Sequence, residues 1–155
     1  MSEQASDVVI SVEPEPAEAA REAVLNGLRA YNRQHAEAPD FHPLVLAARD
    51  GDAVIGGLVG MIGWQWLYVD LLWVADEYRG VRLGRRLLHT AEQEAWVRGA
   101  RHAYLDTFDF QAKPFYERQG YTVFGTLDGY PPGHSRYFLQ KDLAPATNDR
   151  PSNVG

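Results

Sequence analysis

Cysteine is absent from the whole chain. That excludes disulfides, thiolate metal sites and a cysteine nucleophile. No apolar run reaches the roughly 18 residues expected of a membrane span. No long block of basic residues occurs, and the formal net charge is −6, so nucleic acid is not an expected partner. The five histidines show no His-Glu-x-x-His spacing or comparable ligand pattern, so no metal is expected. Both phosphate-loop signatures are missing, Gly-x-x-x-x-Gly-Lys-Ser/Thr and Gly-x-Gly-x-x-Gly. Met1 to Asp7 is polar and acidic, unlike a signal peptide. Together these absences predict a cytoplasmic protein. A composition of 45% hydrophobic and 23% charged residues suits one globular domain at a length of 155.

What is present centres on Arg79-Gly80-Val81-Arg82-Leu83-Gly84-Arg85-Arg86-Leu87-Leu88. Gly80 and Gly84 lack a Cβ, which permits a sharp turn and a close backbone approach to a ligand. From Gly84 the small and apolar positions Leu87, Leu88, Ala91 and Ala95 form a helical stripe. The first turn of such a helix offers unsatisfied N–H groups and the positive end of the dipole. Arg79, Arg82, Arg85 and Arg86 add cationic side chains. A phosphate or pyrophosphate suits this arrangement, and a plain solvated helix start is the alternative.

The rest of the chain supplies the context. Val8 to Val12 alternates as a short strand, and Ala17 to about Gln34 reads as a helix with a kink or split at Asn26-Gly27. Leu44–Arg49 and Val54–Ile62 form a hairpin around Asp50-Gly51-Asp52. Gly56, Gly57, Gly60 and Gly63 suggest bulges or close backbone approach. Trp66–Val74 and Ala103–Phe108 are apolar strands. Ala112–Gln119 is a short helix closed by Gly120, and strands follow at Tyr121–Leu127 and Arg136–Lys141. Residues 144–155 are polar and read as a flexible tail, as do residues 1–7.

Two segments carry a resemblance to a known family. Arg79 and Gly84 match Arg/Gln-x-x-Gly-x-Gly/Ala after a strand. Phe115, Tyr116, Glu117, Gly120 and Tyr121 match a later Phe-Tyr-Glu-x-x-Gly-Tyr/Phe segment. In order and separation, the chain resembles the GNAT superfamily of acetyl-CoA-dependent N-acetyltransferases over residues 8–143. Two positions depart from the pattern. Arg82 stands where the family has a glycine, and Asp109 stands where many members have asparagine. An arginine can still offer its backbone N–H to a pyrophosphate, and its side chain can add a charge-assisted bond.

The resemblance implies an α/β (α+β) fold: one domain with a mixed, mostly antiparallel sheet of about seven strands and helices on both faces. It also implies a splayed strand pair that admits the pantetheine arm of acetyl-CoA. Leu72, Trp73 and Val74 would accompany that arm. Arg79, Gly80, Val81, Arg82, Leu83, Gly84 and Arg85 would hold the pyrophosphate. Asp109 and Tyr116 complete the implied cofactor set.

The chemistry requires a neutral amine and a protonated leaving thiolate. An alkyl amine has a pKa of about 10.4, so a base must take its proton, directly or through water. Asp70 is the first candidate, because a carboxylate amid Val69, Leu71 and Leu72 is expected to be buried and so raised in pKa. A carboxylate buried against an arginine is the other reading. Asp106 is the second candidate, with a structural hydrogen-bond role as its alternative. Tyr116 matches the family's general acid by position; packing in the core is its alternative.

Tyr31, Asn32, Trp66 and Phe108 are candidates for the acceptor wall, with His35, His42, Trp64, Trp73, Phe110, His134 and Arg136 behind them. The implied acceptor is a small-molecule or peptide amine, and the negative chain favours cationic ones. Three readings remain open on sequence alone. They are an N-acetyltransferase, a non-catalytic acyl-CoA sensor, and a scaffold that forms a homodimer through an aromatic-rich sheet edge.

Overall fold

The computed structural model describes residues 8–146. The expectations for residues 1–7 and for the tail from 147 onward lie outside the described residues. The chain divides into two compact units, Met1–Ala38 and Pro39–Gly155, and each is taken by itself.

The first unit holds helix α1, Glu18–Asn32, which has no buried residue. It runs unbroken through Asn26-Gly27, against the expected kink. One glycine inside a helix costs only about 1 kcal/mol relative to alanine, too little to break the turns around it. The expected strand Val8–Val12 does not form, and its side chains are exposed. Alternating β-branched residues supply propensity, but a strand exists only where a neighbour completes its ladder.

Among the described residues, the second unit has six strands rather than about seven. They are β1 (His42–Asp50), β2 (Ala53–Gly63), β3 (Trp66–Val74), β4 (His102–Phe108), β5 (Thr122–Asp128) and β6 (Ser135–Asp142). Their order across the sheet is β1-β2-β3-β4-β6-β5. Only β3 and β4 are parallel neighbours; the other pairs are antiparallel. Helix α2 (Leu83–Val97) makes the crossover between β3 and β4, and the short helix α3 (Lys113–Arg118) follows β4.

Local chemistry explains the turns. Gly51 takes φ +58° in the two-residue loop between β1 and β2. Trp64 and Gln65 join β2 to β3 with φ of +47° and +66°, the left-handed pair that a tight hairpin needs, here without glycine. The ring of Trp64 meets Phe41 edge-on, with centroids 5.6 Å apart.

The core lies between α2 and one face of the sheet. Leu87, Leu88, Ala91 and Ala95 of α2 are buried there, as are Leu58, Leu67, Val69, Ala103, Leu105 and Leu139 of the sheet. Glu92 is buried on the same helix. It is held by Lys141 Nζ at 3.0 and 3.1 Å and by the Tyr121 hydroxyl at 2.8 Å. This network ties the middle of α2 to the start of β5 and the end of β6.

Candidate active site

β3 and β4 pair only over Trp66–Val69 and His102–Leu105. Beyond Val69 and Leu105 the two strands part. β3 stays paired with β2, and β4 with β6, so each strand keeps one partner and loses the other. The cause is visible in the register. Gly60 faces Val69 and Val59 faces Leu71, so Asp70 is an extra residue in β3. Such a bulge bends its strand and raises the local twist. Gly60 permits it: a Cβ there would lie 2.6 Å from the Tyr68 carbonyl oxygen. The edge of β3 that faces β4 is therefore free of strand partners from Asp70 to Val74.

A cavity of about 1320 Å³ opens in this fork. Its walls are β3 from Asp70 to Val74, the end of β4 at Asp106 and Thr107, the first turn of α2, and α3.

One end presents the start of α2 and several arginines. α2 starts after Arg82, and its first helical hydrogen bond runs from the Arg86 N–H to the Arg82 carbonyl at 3.0 Å. The N–H groups of Leu83, Gly84 and Arg85 thus have no acceptor within the helix, and no side chain caps them. Gly80 takes φ +87° and Arg82 takes φ +60° to shape the approach. A Cβ on Gly84 would touch Phe115 at 3.7 Å and Val74 at 3.8 Å, an ordinary contact, so the family's alanine alternative also fits. Arg82, Arg85 and Arg118 line the cavity without an ion pair among the described residues. Arg79 also lines it and pairs with Asp76 at 3.1 Å.

The other end gathers titratable groups. Tyr116 is buried on α3, and a Schellman-type cap fixes its backbone. The Tyr121 N–H reaches the Tyr116 carbonyl at 3.1 Å, the Gly120 N–H reaches Glu117 at 3.1 Å, and Gly120 takes φ +93°. Burial first, and then the charge of Asp106, push the Tyr116 phenol up to about 12. Its hydroxyl has no hydrogen-bond partner among the described residues and is not sealed from solvent.

The two aspartates depart from expectation. Asp70 is exposed at the bulge, not buried, because the extra residue swings out of the ladder. It makes no hydrogen bond or ion pair among the described residues. Asp106 is engaged on both oxygens. Arg136 holds Oδ1 through Nε at 2.7 Å and Nη2 at 2.6 Å, and the Tyr68 hydroxyl donates to Oδ2 at 3.3 Å. With both oxygens occupied, the geometry favours its structural reading. Tyr68 itself is pushed up to about 12, by burial and then by the charges of Asp106 and Asp70.

The structure brings Asp70, Leu72, Trp73, Val74, Arg79, Gly80, Arg82, Leu83, Gly84, Arg85, Asp106 and Tyr116 to one cavity. Other expected residues lie elsewhere. Val81 is exposed and outside the lining. Asp109 turns away to the loop before β6: the Ser135 N–H donates to it at 3.0 Å, and His134 Nδ1 lies 2.8 Å off. Desolvation alone would raise its pKa, but the hydrogen bonds from His134 and Ser135 outweigh it and hold the carboxyl below its ordinary value. Trp66 packs on His102 and Tyr104, and Phe108 stacks on Phe110 and Tyr130. Tyr31 and Asn32 belong to the first unit, where the Tyr31 ring packs on His35.

Several lining residues carried no signal in the sequence. Thr107 and Gln111 line the cavity and bond each other at 3.1 Å; Leu71, Tyr78, Arg118 and Gln119 line it too. Arg118 and Gln119 sit inside the later family segment, at its two variable positions, so only their neighbourhood pointed to them. Among the described residues, no group of three or more His, Asp or Glu side chains is placed to hold a metal ion, and no helix is long and apolar enough to cross a membrane.

Comparison with known proteins agrees with this geometry. The chain belongs to the acetyltransferase (GNAT) family, whose model matches residues 9–121. A blasticidin-S acetyltransferase of Streptomyces morookaense is 39% identical over 124 residues, spanning 79% of this chain and 90% of the relative. Acetyltransferase Atu2258 of Agrobacterium fabrum is 40% identical over 123 residues, with the same coverage of 79% and 90%. The crystal structure of an acetyltransferase from Bacillus cereus superposes with a TM-score of 0.81 at 29% identity, covering 88% of this chain and 98% of its own. The protein is thus an acetyltransferase of this family.

Proposed function

We propose that this protein acetylates a primary amine of a small molecule, by direct attack of the amine on acetyl-CoA bound in the fork. The observation that carries the reading is the unpaired edge of β3 between two unlike ends. An uncapped, arginine-lined helix start lies at one end, and Asp70 and Tyr116 lie at the other.

Acetyl-CoA supplies an electrophilic thioester. The N–H groups of Leu83, Gly84 and Arg85 take its pyrophosphate, as helix starts do for phosphates generally. The free backbone groups of β3 from Asp70 to Val74 offer the amide-bearing arm the hydrogen bonds that β4 does not make. At the fork, the exposed carboxylate of Asp70 attracts the acceptor as an ammonium and relays its proton, directly or through water, to the solvent. The Tyr116 hydroxyl protonates the sulfur as the carbon–sulfur bond breaks. Its raised pKa keeps it a donor across the working range. Asp106 and Arg136 neutralise each other beside these groups, so Asp70 is left as the net charge at the fork.

The blasticidin-S acetyltransferase supports an acceptor of antibiotic type. The test is thiol release from acetyl-CoA with a panel of amines: blasticidin S, simple diamines and a lysine-bearing peptide. Turnover with a small-molecule amine, and little with the peptide, is the expected result. Absence of acetyl-CoA binding in a calorimetric titration would overturn the reading.

A further inference from the structure

Large apolar side chains scattered over a protein surface are common and mean little singly. Here three of them gather at one cavity. Leu71 and Trp73 on β3, and Phe110 on the loop after β4, all line it, and each is more than half exposed. They stand on the two sides of the fork, because β3 and β4 part before any of the three is reached.

The loop that carries Phe110 is braced on both sides of it. The Asp109 N–H donates to the Ser135 carbonyl at 2.9 Å, and the Asp109 carboxylate accepts the Ser135 N–H at 3.0 Å and lies 2.8 Å from His134 Nδ1. The Gln111 N–H donates to the Phe108 carbonyl at 2.9 Å. Its side-chain oxygen accepts the Phe108 N–H at 2.9 Å and the Thr107 hydroxyl at 3.1 Å. The Phe110 ring stacks on Phe108, 2° from parallel with centroids 5.2 Å apart, and Phe108 stacks on Tyr130. His134 meets Phe110 edge-on at 5.0 Å. A loose loop would fold such a ring away from water. This ring is instead fixed at the cavity, with 58% of the residue uncovered.

A fixed aromatic ring favours a second flat ring, offset or edge-on, beyond what burial of the same area gives a saturated group. The same cavity holds Asp70, whose carboxylate makes no hydrogen bond or ion pair among the described residues. A ring surface and a free anion in one cavity describe a ligand with two matching parts, an aromatic group joined to an ammonium.

We propose that Phe110 is a specificity platform for the acceptor: a planar aromatic or heteroaromatic ring of the substrate stacks on it, with Trp73 on the opposite side of the fork, while the substrate's amine is drawn to Asp70. The inference rests on the amine-acetylation reading above and deepens it by naming the class of amine.

The test uses the full chain as wild type, Phe110→Leu and Phe110→Tyr. Thiol release from acetyl-CoA is measured with ω-phenylalkylamines of two, three and four methylenes, each beside its cyclohexyl counterpart. The members of a pair share chain, amine and bulk, and differ in the flat π face. At the chain length that fits, kcat/KM is expected to favour the phenyl member by about 3- to 10-fold in wild type and Phe110→Tyr. In Phe110→Leu the ratio is expected to fall to about one, through KM. The ratio is taken within each protein, so partial unfolding of a variant does not change it.

A ratio of about one in wild type at every chain length overturns the platform. So does a phenyl preference that survives in Phe110→Leu. Calorimetric titration covers the other use of the ring. Acetyl-CoA affinity in Phe110→Leu is expected within about twofold of wild type, and a loss of about tenfold would assign the ring to the cofactor and overturn the platform. Absence of thiol release by wild type with any amine, aromatic or aliphatic, is a separate outcome, and it overturns the reading on which the platform rests.

Discussion

Replacing Tyr116 by phenylalanine removes one oxygen from the fork. The structure sets the size of each consequence. The hydroxyl has no protein partner among the described residues, so no donor or acceptor is orphaned by its loss. The ring, packed edge-on against Phe115 and Tyr121 at 5.1 and 6.0 Å, stays in place. Stability near neutral pH should change by less than about 1 kcal/mol. Acetyl-CoA affinity should stay within about twofold, because the phosphate end lies on other elements. The catalytic loss is larger. General acids contribute about 100- to 10,000-fold, and a thiol leaves with a pKa near 8.5, so the lower end applies here. The expectation is a kcat reduced about 100-fold, read by thiol release at saturating amine, with acetyl-CoA affinity read by calorimetry.

The pH dependence follows from the same group. Its pKa is raised to about 12, so the donor form persists to that value as pH rises. Any alkaline fall in kcat that begins below pH 10 therefore belongs to another group. The folded pKa exceeds the unfolded value of about 10, so the stabilisation from protonated Tyr116 is complete below pH 10 and is lost as pH rises through 12. The loss amounts to about 2–3 kcal/mol and is missing from the phenylalanine variant. A variant with kcat within threefold of wild type would refute the acid role.

Other substitutions probe the frame that holds the fork. Gly60→Ala sets a Cβ 2.6 Å from the Tyr68 carbonyl beside the bulge. It is expected to cost about 2–3 kcal/mol in chemical denaturation and to weaken acetyl-CoA binding, since β3 must shift. Gly84→Ala is the counter-case. Its Cβ finds only ordinary contacts, and alanine favours the helix, so stability should rise by up to about 1 kcal/mol with binding retained. Lys141→Met leaves Glu92 buried with the Tyr121 hydroxyl as its remaining partner. A loss of about 3 kcal/mol is expected in the same denaturation assay, and a loss under 1 kcal/mol would show that the pair is not buried in effect.

Some of the site was legible before any fold was known. The stripe Leu87, Leu88, Ala91 and Ala95 named the buried face of α2 because helical periodicity is a local property. Gly84 and Tyr116 stood at recognisable spacings, and both line the cavity. The glycines of β2 announced close approach, and a Cβ on Gly57 or Gly60 would indeed lie 2.6 Å from a carbonyl oxygen of a neighbouring strand. Other readings failed for a common reason. Asp70 was expected to be buried by the company of Val69 and Leu71, but a register shift against β2 exposes it. Asp109, a candidate cofactor contact, has its oxygens engaged by His134 and Ser135, which are distant in sequence. Glu92 carried no sign of burial, because Lys141 and Tyr121 reach it from other elements.

The sequence by itself determined the elements with a short-range cause: where α2 begins, which of its faces is apolar, where the chain turns, and which loop can receive an anion. Only the tertiary structure decided where β3 and β4 part, which carboxylate is left unpaired at the fork, and which arginines face the cavity without a partner. Helical period, glycine conformation and capping act over a few residues and are written in neighbouring letters. Strand register, ion pairing and burial depend on which distant segments meet, and that is settled only when the whole sheet closes over its core.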